Sequence, residues 1–257
     1  MFSLTIKMKK IALGILIAVT ILAISGITTA SMLIPVNDNA RENAKAPEKS
    51  PVIGDNWDFE RVDFIHYAKP SNPGKTKTET CYKLLGVKWN TLPVNYVINP
   101  TNPQGLLEAF VTSAISTSAE TWDAVTSKEL LNDFYTIDSA VSYGVQDYKN
   151  AIAFGNYPTA GVIAVTSIWY TRVGKQIVEF DIMFDTDFTW GDAILNPTVM
   201  DLQNIATHEF GHGVGLADIY STTCSAVTMY GYSSNGDVEK RTLEQPDITG
   251  LQKMYGI

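Results

Sequence analysis

The sequence predicts an α+β fold, a mixed sheet joined to a few helices. Three runs, "NAIAFG", "GVIAVTSIWY" and "QIVEFDIMF", are apolar, β-branched and separated by turn-rich stretches, as successive sheet strands are. Helical spacing appears ahead of them over residues 107–125, and again after them up to residue 256. The length of 257 residues, 45% of them hydrophobic, allows one sizeable domain with targeting or pro-segments, or at most two small domains. No internal repeat is visible.

The first thirty residues differ in kind from the rest. Lys7, Lys9 and Lys10 precede an uncharged apolar run from Ile11 to Ile27, and Thr28 and Ala30 stand where small residues precede a signal-peptidase cut. An export signal cleaved after Ala30 is expected; the alternative is an uncleaved membrane anchor through residues 11–27. Either reading places the remainder outside the cytoplasm. The formal charge of −8 argues against nucleic acid or an anionic membrane surface as partner. Cys81 and Cys224 are the two cysteines, and in an exported protein such a pair reads as one disulfide. Neither belongs to a CxxC pair, which excludes a thiolate zinc ribbon.

Residues 31–80 carry Pro-, Asn-, Lys-, Glu- and Ser-rich tracts around "WDFERVDFIHYA", a short aromatic stretch suited to one strand or a docking segment. This region reads as a linker, or alternatively as a propeptide that covers a site until it is removed. From Cys81 to residue 257 the pattern is that of a folded domain. "LPVNYVINP" alternates and ends at Pro100, as a strand would. Leu107, Val111, Ala114, Ile115, Trp122 and Val125 share one helix face. "NPTVMDLQNIATHEFGHG" opens with Thr198 as expected N-cap and Asp201 three residues on. A last helix from about Pro246 turns Ile248, Leu251 and Tyr255 inward and stops at Gly256.

The chemistry concentrates in "HEFGHGVGLAD". Four helical residues advance the chain by about 400°, so His208 and His212 project from nearly one face and can reach a single ion. Glu209 sits about 100° round the helix, where it approaches an attacking water rather than the metal. Gly215 follows His212 by three residues, where glycine tolerates the positive φ of a chain reversal. The reversed chain brings back Asp218. The sequence has three histidines, and the third, His66, lies far upstream, so Asp218 is the expected third ligand.

This pattern resembles the metzincin clan of zinc peptidases, HExxHxxGxxH or the same with a final Asp. Residues from about Lys88 to Gly256 resemble the matrixin-like catalytic domain, and the Asp ending, with a cysteine shortly after it, is similar to the snapalysins. Met229 in "AVTMYGY" matches the Met-turn, and "QPDITGLQKMYG" the terminal helix. The resemblance implies a zincin fold: a twisted mixed sheet, helices over an active-site helix, and a small, mostly helical C-terminal subdomain. It implies one catalytic Zn²⁺ on His208, His212 and Asp218, with Glu209 as general base. It also implies an extended peptide substrate paired to an edge strand, for which "GVIAVTSIWY" offers Val162, Ala164 and Thr166, with Tyr230 and Tyr232 lining a pocket.

Departures from the family pattern are equally specific. "MFDTDFTW" keeps Asp185 and Trp190, but Met183 replaces the histidine of a structural zinc, so a second zinc is not expected. Phe188 replaces a calcium-binding glutamate, which weakens the case for calcium. Gly231 stands where some metzincins carry a tyrosine ligand, and "TETCYKLL" does not resemble the matrixin cysteine switch. The expectation is an exported, monomeric zinc endopeptidase. Its alternatives are a non-catalytic cell-surface binding domain and a zinc amide hydrolase with a non-protein substrate.

Overall fold

The computed structural model describes residues 58–69 and 80–257. The export-signal and anchor readings, and most of residues 31–80, lie outside that range. Among the described residues a seven-stranded mixed sheet carries the fold. Its strands are β1 (Phe59–Ala68), β2 (Val97–Ile98), β3 (Thr136–Ile137), β4 (Ala151–Gly155), β5 (Val162–Thr171), β6 (Ile177–Asp185) and β9 (Tyr232–Ser233), in the order β3-β2-β4-β6-β5-β1-β9. Neighbours from β3 to β6 run parallel, β5 is antiparallel to β6, and β1 is antiparallel to β5 and parallel to β9. A separate parallel pair joins β7 (Trp190–Gly191) to β8 (Met200–Asp201).

The three apolar runs are β4, β5 and β6. They lie in the sheet interior, which is why they read as continuous hydrophobic stretches rather than alternating ones. Of "LPVNYVINP" only Val97–Ile98 enters the ladder, while Val94 makes an isolated bridge to Leu131. Helix α1 (Glu108–Asp123) and helix α2 (Leu202–Gly213) pack together over a core that includes Trp122, Phe180, Ile182 and Phe210. The Trp122 indole donates to the Thr207 carbonyl at 2.8 Å, tying α1 to α2. Leu107 is the exposed N-cap of α1 rather than part of its buried face.

The expected start of α2 is corrected. Thr198 is not the cap; it bonds to the Asn196 side chain, and the chain runs extended through β8 before the helix begins. Asp201 is the N-cap, its carboxylate accepting from the Asn204 amide at 2.8 Å and from the Arg241 guanidinium. Because Asp201 is fully buried, this ion pair fixes the helix start rigidly. Beyond α2, the chain forms two short 3-10 turns, β9 and helix α3 (Gln245–Tyr255), which ends on Gly256. Glu244 and Asp247 form a capping box there, so α3 begins one residue before Pro246. No helix among the described residues is long and apolar enough to cross a membrane.

Candidate metal centre

Helix α2 carries His208, Glu209 and His212 into the interior, all essentially without solvent exposure. At Gly215 the chain turns with φ +104°, and a Cβ there would lie 2.5 Å from the Val87 carbonyl oxygen. Only glycine fits this reversal. The chain then brings Asp218 back over the helix. Its Oδ1 stands 3.2 Å from His208 Nε2 and 3.4 Å from His212 Nε2, and the two nitrogens are 3.1 Å apart. Ligand atoms about 2.0–2.1 Å from one zinc in tetrahedral array stand about 3.3–3.4 Å from each other, so the spacing fits.

The surroundings set the chemistry of these three atoms. His208 Nδ1 donates to the Thr228 carbonyl at 2.7 Å, and His212 Nδ1 to the Leu216 carbonyl at 2.9 Å. Each Nδ1–H is thereby occupied, which directs both Nε2 lone pairs inward. Asp218 Oδ1 is buried and accepts no hydrogen bond. Two lone pairs and an orphaned carboxylate oxygen facing one another are unstable together unless a cation joins them. The donor set therefore fits zinc. Burial and its proximity to His212 hold the His208 imidazole low, at about 4, despite Asp218. Burial would raise Asp218, but the two imidazoles beside it, His212 foremost, outweigh burial and keep it well below the usual carboxylate range.

Glu209 lies beside this cluster. Its Oε2 accepts from the Thr166 hydroxyl at 2.5 Å, and its Oε1 sits 3.1 Å from His66 Nδ1. Burial pushes the Glu209 carboxyl up to about 7, with His212 and the Thr166 hydroxyl working against that rise. A carboxylate tuned near neutrality is suited to moving a proton in either direction. His66 is fully enclosed, its ring 4.1 Å from that of His208. Among the described residues, the groups of side chains able to hold a metal are His208–His212–Asp218 and His66–His208–Glu209.

Met229 lies beneath α2. A Cβ on Gly211 would be 2.7 Å from the Trp122 ring and closer still to the Met229 sulfur, so glycine is what lets that side chain approach. The Met-turn itself is pinned by Asp247, which accepts from the amides of Thr228 at 2.9 Å and Met229 at 3.2 Å.

A matrixin-family profile matches residues 88–256. The chain belongs to the matrixin family. Similar proteins include matrix metalloproteinase-18 of Xenopus laevis, 30% identical over 169 residues, 65% of this chain and 33% of the relative. The neutrophil collagenase of Homo sapiens is 30% identical over 176 residues, 66% of this chain and 34% of the relative. The hatching enzyme of Paracentrotus lividus is 31% identical over 137 residues, 52% of this chain and 21% of the relative. The matrixin described here spans about a third or less of the length of these relatives.

Within the matrixin, Met183 packs in an apolar cluster with Val162 and Val165. The Asp185 carboxylate is taken up by the amides of Asp187 and Tyr157. Cys81 and Cys224 are disulfide-bonded, with Cα atoms 5.4 Å apart. Val162, Ala164 and Thr166 lie on β5, but their ladder partners are Tyr67, His66 and Phe64 of β1. The Thr166 side chain turns inward to Glu209 rather than outward to a pocket. Tyr230 is buried, while Tyr232 is half-buried between Tyr220 and Tyr230, with ring centroids 5.3 and 5.7 Å away. Tyr220 donates to Asp218 Oδ2 at 3.0 Å. His66, Tyr220 and Asp247 escaped sequence reasoning because each reaches the site from a distant or irregular segment. The aromatic alternation around His66 was the one available signal.

Proposed function

We propose that this matrixin is an exported endopeptidase that uses one zinc ion to hydrolyse extended peptide segments. His208, His212 and Asp218 hold the ion and Glu209 is its general base. The observation that carries this reading is the inward-facing trio of Nε2, Nε2 and Oδ1 at tetrahedral spacing, with Glu209 beside it. Zinc held there would polarise the scissile carbonyl and acidify the attacking water. Glu209 takes a proton from that water as its oxygen bonds to the carbonyl carbon, then delivers it to the nitrogen as the C–N bond breaks. Thr166 holds one carboxylate oxygen of Glu209 and so aims the other. The carbonyls of Thr228 and Leu216 hold the two imidazoles in the ligating tautomer.

The test measures zinc content and casein cleavage by the secreted chain, before and after limited proteolysis on the N-terminal side of Cys81. Cleavage is expected that disappears with a chelator. Glu209→Gln should lower it by about 10²–10⁴-fold while one equivalent of zinc remains bound. Stoichiometric zinc with no casein cleavage in any form of the wild-type chain would overturn the reading.

A further inference from the structure

The edge of β5, where a substrate backbone is expected, is occupied by the chain itself. Strand β1 runs antiparallel along β5 from Phe59↔Thr171 to Tyr67↔Val162, then parallel to β9 through Tyr67↔Tyr232 and Ala68↔Ser233. Lys69 continues the ladder by donating to the Ser233 carbonyl at 2.8 Å. Tyr232 and Ser233 are themselves held in place by Lys240, whose ammonium donates to the Tyr232 carbonyl and the Ser233 hydroxyl, both at 2.8 Å. Strand β1 therefore adds to two edges at once across the top of α2, as peptides captured by strand addition do.

Its inward side chains are matched to the metal centre. Val62, Phe64 and His66 alternate along β1 and are all buried, the last two against side chains of α2. Phe64 stacks on the His212 ring at 4.0 Å and 12°. His66 places Nδ1 on Glu209, while its Nε2 is enclosed without a hydrogen-bond partner. With Oε2 taken by the Thr166 hydroxyl and Oε1 by the His66 ring, Glu209 turns neither oxygen to an attacking water. This arrangement blocks the base.

We propose that residues 59–68 are a pseudo-substrate strand that fills the peptide-binding groove of this matrixin and caps Glu209 with His66. The groove thus takes an extended segment with an aromatic side chain over His212 and a second inward side chain, two residues later, over Glu209. The inference rests on the peptidase reading for what the groove is for, but not for what occupies it.

A full chain with a site-specific protease sequence introduced between Ala68 and Cys81 tests this. The Cys81–Cys224 bridge keeps the new end attached to the enzyme after the cut. Zinc-loaded protein, intact or cut and washed, is compared for binding of a fluorescein-labelled peptide of residues 58–69 and for casein cleavage. The intact chain should exclude the peptide and cleave at least tenfold more slowly; the cut chain should bind it and be inhibited by it. Peptide uptake equal before and after the cut, or absent in both, overturns the proposal. Uptake only after the cut, with no casein cleavage in either form, sustains the strand and overturns the peptidase. Should circular dichroism show the cut chain unfolded, the intact Phe64→Ala/His66→Ala chain replaces it. That variant should admit the labelled peptide, and continued exclusion overturns the proposal.

Discussion

Asp218 offers one oxygen to the two imidazoles and the other to the Tyr220 hydroxyl, so a single phenol decides which way the carboxylate points. Partners of this kind orient a ligand and are worth about 10–100-fold in metal affinity. Tyr220→Phe keeps the ring against Tyr232 and removes the hydrogen bond. It should weaken zinc binding by about tenfold in a competition with a chromophoric chelator, with little change in unfolding temperature. Unaltered affinity would mean that Asp218 is aimed by its backbone alone. Gly211 tests the opposite kind of contact, one of volume. Gly211→Ala drives a methyl against Met229 and Trp122, and overpacking of this sort costs about 1–3 kcal/mol. A lower denaturation midpoint is expected; an unchanged one would show that Met229 moves aside freely.

Strand β6 buries two acids, Glu179 and Asp181, that serve the loop before β4. Asp181 accepts from the amides of Gly144 at 2.6 Å and Ala151 at 2.9 Å, and Glu179 from those of Asp147 and Tyr148. Burial pushes Asp181 up to about 8, with Glu179 and Asp147 adding to the rise and the two amides opposing it. The folded state then binds the proton more tightly than the unfolded one, so this residue's contribution to stability falls as pH rises from about 4 to about 8. Urea unfolding of wild type and Asp181→Asn should show a stability difference that shrinks between pH 5 and pH 9. A constant difference would mean that Asp181 is ionised throughout. Elements of this sort mark where sequence reading succeeds and stops. β4, β5, β6 and α2 were legible because their apolar content is continuous or helically spaced and arises within each segment. The Asp201 cap was misplaced because its partner, Arg241, is forty residues away. Strand β1 is legible only as a short aromatic stretch suited to a strand or docking segment, because its stability comes from β5, about a hundred residues later, and the flanking tracts are polar. His66 is hidden for the same reason, its partner Glu209 lying 143 residues further along the chain.

Across the whole molecule, the site depends on how the N-terminal entry of the domain is fastened to the chain on both sides of Asp218. Three connections share that junction: Ala217 donates to the Lys83 carbonyl, Leu85 to the Gly215 carbonyl, and Cys81 bonds to Cys224 across 143 residues of sequence. A covalent loop of that length restricts the unfolded chain by about 5 kcal/mol on entropic grounds, and native bridges usually deliver about 2–5 kcal/mol. The backbone pairs hold the same junction in the folded state, so the bridge acts chiefly on the unfolded one. Cys81→Ser/Cys224→Ser should therefore lower stability by about 2–5 kcal/mol in urea titrations while zinc affinity at room temperature stays within about threefold. Tyr220→Phe should do the reverse. A double-serine chain that loses zinc as readily as Tyr220→Phe would show that the bridge positions Asp218 directly. An unchanged unfolding midpoint would show that the hydrogen-bonded junction already confines the chain without it.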